Sequence, residues 1–239
     1  MMPVPPGVHR ADLGDDSIAA LCTSRGTWQW LNRTTDRIWA AAANGTVPDL
    51  VAELKADRLK DAETLVATTI DGLIRAGLLG PGAGTGRLPQ QIPAATTVAE
   101  PAARPSLFMR LPAWVGLALA LALMRLPLHT RMRALGLLRF LPAAPPRLAA
   151  SAAATVLRVR PGWWPGRIAC MEVSLATVLT LALCGRRAPW VLGARRLPSE
   201  AHAWVWTPAG ALGLSGRDAD DPRRPWVGVA AAPAIRLQE

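Results

Sequence analysis

Two side chains in the second half of the chain could do chemistry together. Cys170 stands at the start of an apolar run that continues to Cys184 and stops at Gly185, and His202 lies about thirty residues further on. Met171, Val173, Leu175, Val178, Leu179 and Leu181 would occupy nearly every side of a helix, so the run predicts a buried helix with the thiol at its N-terminus. The positive end of a helix dipole stabilises a thiolate and lowers its pKa. His202 sits in the alternating run Glu200-Ala201-His202-Ala203-Trp204-Val205-Trp206, which predicts a strand. A thiol beside an imidazole is a nucleophile with its base. A lone cysteine or a lone strand histidine is more often inert packing, and Cys22, Cys184, His9 and His129 are read that way.

The elements that must bring this pair together are predicted around it. Pro161 to Arg167 reads as a loop delivering Cys170, with the helix starting at Ile168 or Ala169. Pro189 to Gly193 and Glu200 to Trp206 read as strands, followed by a short hairpin return at Gly210 to Leu214. Upstream, Leu107 to Met124, Leu128 to Phe140 and Arg147 to Val159 are helical in pattern and serve as scaffold. The sum is a buried helix against an antiparallel sheet.

Composition permits such a core. The 239 residues are 51% hydrophobic and 18% charged, enough for one large or two small domains. The formal net charge of +10 comes almost entirely from arginine and would suit nucleic acid, anionic lipid or an acidic peptide, or reflect compositional bias. Three distant cysteines without a C-x-x-C pair suggest neither a disulfide framework nor a metal site, and the cytoplasm is the expected compartment. The N-terminus has no basic region followed by an apolar stretch, so no secretory signal is expected. Leu111 to Met124 is uncharged but shorter than the roughly 20 residues a spanning helix needs, which predicts a buried or interfacial helix and no transmembrane span. Arg131, Arg133 and Arg139 could make peripheral contact with a membrane, although a solvated basic face is the simpler reading. No phosphate-binding or metal-binding motif occurs, and no cofactor is expected.

Residues 81–105 are rich in Gly and Pro and show no periodicity, which predicts a linker between residues 1–80 and residues 106–239. In the first piece a short strand near Val8 to Ala11 precedes Ser17 to Cys22 and Thr27 to Leu31, joined by a hairpin turn at Thr23 to Gly26. Asn32 then reads as the N-cap or turn leading into a helix over Thr35 to Asn44 that ends at Gly45. Pro48 starts a second helix through Ala56, and Asp61 can cap a third with Val66, Ile70, Leu73, Ile74 and Gly77 on its apolar face. The fold class is therefore α+β: a small winged-helix-like module of three strands and three helices, then the helix-on-sheet piece.

The order Trp30-Leu31-Asn32, Ile38-Trp39, Val47-Pro48-Asp49-Leu50 and Leu73-Ile74-Arg75-Ala76-Gly77-Leu78-Leu79 resembles the PqqD-like peptide recognition element of ribosomal peptide biosynthesis. That resemblance implies a module holding a precursor's leader peptide as an added strand beside the third strand. Trp28, Trp30, Leu65 and Thr69 are then the candidate leader-binding residues, with core packing the alternative for each tryptophan.

Cys170-x-x-x-Ser174-Leu175, Val191-Leu192-Gly193-Ala194-Arg195 and Ala201-His202-Ala203-Trp204-Val205 are similar to the transglutaminase-like leader peptidase of lasso peptide biosynthesis, the B protein. The resemblance implies a papain-like or transglutaminase-like cysteine peptidase with Cys170 as nucleophile and His202 as base. It also implies an ATP-dependent lasso cyclase as a later partner. That family carries a third catalytic member, an acid in the strand after the histidine strand. Here Gly210 to Gly216 contains no carboxylate, so Asp218 is the nearest candidate, with Asp220 and Asp221 behind it.

Three rival functions remain open at this point. A winged-helix nucleic-acid-binding regulator would need basic residues on its recognition helix, yet residues 61–79 contain only Arg75, so nucleic acid is not expected as a partner. A Cys-dependent acyltransferase would use the same Cys–His pair, and a non-catalytic peptide adaptor would use neither.

Overall fold

A computed structural model describes residues 2–80, 104–161, 169–196, 199–214, 221 and 224–235. The chain divides into two compact units, Met1–Gln91 and Ile92–Glu239, a division that falls within the Gly/Pro-rich stretch. Residues 81–103 of that expected linker lie outside the described residues.

The first unit is a three-stranded antiparallel sheet with three helices. Strands β1 (Val8–Gly14), β2 (Ser17–Cys22) and β3 (Thr27–Asn32) follow one another in space, so β3 is an edge. Helices α1 (Arg33–Asn44), α2 (Val47–Ala56) and α3 (Ala62–Ala76) follow. Local chemistry sets their ends. The Asn32 side chain accepts the Thr35 N–H at 2.8 Å, and Gly45 and Gly77 end α1 and α3 in the left-handed conformation. Asp61 stands at the N-cap of α3, but its side chain makes no cap hydrogen bond.

Val8, Ala20 and Cys22 on one face of the sheet pack with Trp39, Leu73, Leu78 and Leu79, and Leu31 joins them. Arg10, on the same face, clasps Asp36 of α1 through two bonds of 2.6 and 2.5 Å, tying β1 to the helices. Because strand side chains alternate, Trp28 and Trp30 leave β3 on the opposite face.

The second unit packs helices on a four-stranded antiparallel sheet. Helices α4 (Arg110–Leu123), α5 (Leu128–Gly136), a 3-10 turn (Leu137–Phe140) and α6 (Pro146–Val159) precede α7 (Cys170–Leu183). Strands β4 (Trp190–Arg195), β5 (Glu200–Thr207), β6 (Gly210–Leu212) and β7 (Val227–Ala232) assemble in the order β6-β5-β4-β7. The sequence reading missed β7, because its uniformly apolar Val227 to Ala232 has no alternation to mark it. Both of its faces are largely buried.

Gly116 lets α4 and α7 meet closely: a β-carbon there would lie 2.6 Å from Thr180 Oγ1 and 3.0 Å from the Ala176 carbonyl oxygen. Gly193 is under a tighter constraint. Its added β-carbon would stand 2.0 Å from the Trp204 ring and 2.5 Å from the Val227 carbonyl oxygen. Neither neighbour is a flexible tip, since Trp204 is fully buried and Val227 belongs to the paired strand β7. Gly193→Ala is therefore expected to destabilise the second unit by about 1–3 kcal/mol, the usual cost of overpacking. A thermal melt unchanged from the parent protein would show that Trp204 is not seated against Gly193.

Candidate active site

Cys170 is the first residue of α7, preceded by Ala169 in an extended conformation. Glu172 reaches back to accept the Ala169 N–H at 2.9 Å, which forms half of a capping box and starts the helix where the thiol stands. Ser174 Oγ donates to the Cys170 carbonyl at 2.7 Å and accepts from Trp190 Nε1 at 2.8 Å. That relay joins the first turn of α7 to β4 through two buried side chains, so the position of the thiol is built into the core.

His202 leaves β5 on the face it shares with Trp204, opposite Gly193 on β4. Its ring lies 5.3 Å from that of Trp226, which in turn stacks edge-on with Trp204 at 6.2 Å. Strand β6 pairs with β5 only from Val205 to Thr207, leaving the edge of β5 open beside Ala203. There Cys170 meets both the His202 imidazole and the backbone N–H of Ala203.

The electrostatics favour a charged pair. Burial pushes the Cys170 thiol up, but hydrogen bonds from His202 and from the Ala203 and Met171 N–H groups, with the charge of His202, bring it below its ordinary value of 9.0. Burial likewise pushes His202 down, while its bond to Cys170, its bond to Gly213 and the thiolate charge raise it above 6.5. Arg195 opposes that rise. Its guanidinium donates to Glu200 at 2.5 Å and lies 4.6 Å over the Trp226 ring.

Among the described residues, the orienting partner of the imidazole is a backbone group. His202 Nε2 lies 2.9 Å from the Gly213 carbonyl oxygen, and since a carbonyl can only accept, Nε2 must carry the proton. That leaves Nδ1 for the sulfur. Gly213 follows β6 directly with φ +97, a backbone conformation that turns the chain out of register with β5. Leu214, buried against Trp204 and Trp226, anchors the turn.

The structure thus brings Cys170 and His202 together. Asp218 and Asp220 lie outside the described residues. The sequence reading missed Gly213, Ala203 and Trp226; Gly213 and Ala203 act through backbone atoms, which leave no residue-type signature. Among the four candidate peptide contacts, Trp28 and Trp30 sit edge-to-face at 5.4 Å, and Trp30 is 36% exposed, so it is not a core residue. Leu65 and Thr69 lie one turn apart on α3, Leu65 exposed and Thr69 half-buried. The tryptophans and the α3 pair therefore do not share one face of the sheet.

Cys22 is buried and Cys184 exposed. Among the described residues no helix is long and apolar enough to cross a membrane. No curated protein and no solved structure matches the chain significantly. Residues 113–219 match the family model described as the transglutaminase-like superfamily, a span that encloses Cys170, His202 and Gly213, and the second unit accordingly carries a transglutaminase-like domain.

Proposed function

We propose that this chain is the leader peptidase of lasso peptide biosynthesis, a cysteine peptidase that binds a precursor through its first unit and cuts leader from core with its second. The observation that carries the reading is the Cys170 thiol at the start of α7 brought against the His202 imidazole of β5, inside a transglutaminase-like domain. The Cys170 thiolate attacks the scissile carbonyl carbon, and the resulting oxyanion takes the free N–H at the helix start, that of Cys170 itself. His202, holding the proton taken from the thiol, gives it to the leaving amine as the C–N bond breaks. Water then adds to the thioester, His202 accepts its proton, and the C–S bond breaks to release the leader's carboxylate and regenerate the thiol.

The first unit supports leader capture by strand addition. Edge strand β3 leaves one row of backbone groups unpaired within its sheet, and an added strand satisfies such groups. Side chains of that added strand alternate between two faces. One set would meet Trp28 and Trp30, the other the helix side with Leu65 and Thr69. An ATP-dependent cyclase, acting on the freed amine of the core peptide, is the expected partner.

Incubating the protein with a candidate precursor and weighing the fragments tests the reading. A single cut, with both fragments recovered at their hydrolytic masses, is expected. Recovery of the acyl half joined to an added amine would instead assign transfer, which the same thioester permits. Trp30→Pro removes a β3 backbone donor that faces away from β2 and, compared with Trp30→Ala, is expected to weaken leader binding about tenfold or more. Unchanged affinity in that variant would reject strand addition.

A further inference from the structure

Helix α4 is apolar on the side where a surface helix is ordinarily polar. Ala113, Gly116, Leu117 and Ala120 are buried, the i, i+3, i+4, i+7 stripe of a packed face. On the other side Leu111, Trp114, Val115, Ala118, Leu119 and Ala122 are exposed at the same helical spacing, and not one is polar. Leu107 and Phe108 in the preceding turn extend this surface, and Phe108 is 97% exposed. A contiguous apolar patch of this kind marks an interaction site.

The charge around it says what covers it. Between Glu100 and Glu172 the chain has ten arginines and no Asp, Glu or Lys. Exposed Arg110 and Arg125 stand at the two ends of the helix. We propose that this face of α4 docks on an anionic phospholipid surface, with the helix lying in the plane of the interface. Its 14 residues are too few to span a bilayer but suited to lying flat, apolar side chains at the acyl boundary and arginines among the headgroups. Trp114 is a side chain favoured at that depth.

Two other occupants fit less well. A second copy placed across this face would set Arg110 and Arg125 against the same residues, and the segment between Glu100 and Glu172 holds no acid to pair them. A protein partner requires charges of defined place and usually of both signs to set register, whereas a one-signed rim matches a uniformly negative fluid surface. The inference is independent of the peptidase reading, because it needs no active nucleophile.

Co-sedimentation of the full chain with vesicles tests it. Binding to equal parts phosphatidylcholine and phosphatidylglycerol is expected to be about tenfold or more tighter than to phosphatidylcholine alone, and to weaken as sodium chloride is raised. Leu111→Ser with Trp114→Ser, and separately Arg110→Glu with Arg125→Glu, are each expected to weaken it by about tenfold or more. The arginine pair lies at the surface, so it reports on docking even if the serine pair loosens the fold. Equal affinity for both vesicles, no binding to either, or undiminished binding by the arginine pair would overturn the proposal. So would a lipid-free dimer that the Leu111/Trp114 change dissociates.

Discussion

Cys170→Ala is expected to lower kcat/KM for precursor cleavage by about 1,000-fold or more while leaving the fold intact. The sulfur is the only heavy atom lost, and it stands partly buried at the first turn of α7. Ser174 and Trp190 hold that turn through the Cys170 carbonyl, a contact that alanine retains. Cleavage should vanish without a change in melting temperature. Leader affinity, measured by titrating a labelled leader peptide, should be unaltered, because the expected binding strand belongs to the other unit. Residual cutting at the parental rate would eliminate Cys170 as the nucleophile.

Removing the imidazole has a second large effect, readable without any peptide. His202→Ala takes away the side-chain hydrogen bond and the charge that together with two backbone N–H groups hold the Cys170 thiol below 9.0. What remains is burial, which favours the neutral thiol. The pH at which iodoacetamide labels Cys170 at half its maximal rate should therefore move up. Labelling near neutral pH should slow by about tenfold or more.

In the parent protein the two shifts run in opposite directions and predict a bell. Activity rises as Cys170 loses its proton, with an acid limb below 9.0, and falls as His202 loses its own, with an alkaline limb above 6.5. Stability follows the same signs. The thiolate's contribution is complete above the ordinary thiol value and disappears as pH falls through the lowered one. That of the imidazolium is complete below 6.5 and disappears as pH rises through the raised one. A parental labelling profile centred at or above 9.0 would discard the ion pair.

The carbonyl of Gly213 gives this site a distinctive third member. A carboxylate orienting a histidine also neutralises the imidazolium, whereas a carbonyl fixes the tautomer with only a partial charge. Asp218→Asn is accordingly expected to change kcat/KM by less than about tenfold, far less than loss of the nucleophile or base. A fall comparable to that of His202→Ala would assign the third role to Asp218 instead.

Much of this arrangement was legible from residue types. Asn32 and Gly45 marked helix ends because a side-chain oxygen and a left-handed backbone are local requirements. The alternation through His202 gave β5, and the all-round apolar run after Cys170 gave α7, since both periods follow from backbone geometry alone. A thiol and an imidazole in those settings already suggested their partnership.

Other features required the folded chain. Strand β7 has no alternation because it is covered on both faces, and only its pairing with β4 identifies it. Which tryptophan face of β3 looks away from the helices was undetermined until the packing of Ala20, Cys22 and Leu31 chose the other side. The open edge of β5 at Ala203 follows from how far β6 extends, and the proton on Nε2 follows from a backbone oxygen at Gly213. Periodicity and capping act over neighbouring residues and so are written in the order of the chain. Register, edges and backbone partners arise between segments far apart in sequence, and tertiary structure alone decides them.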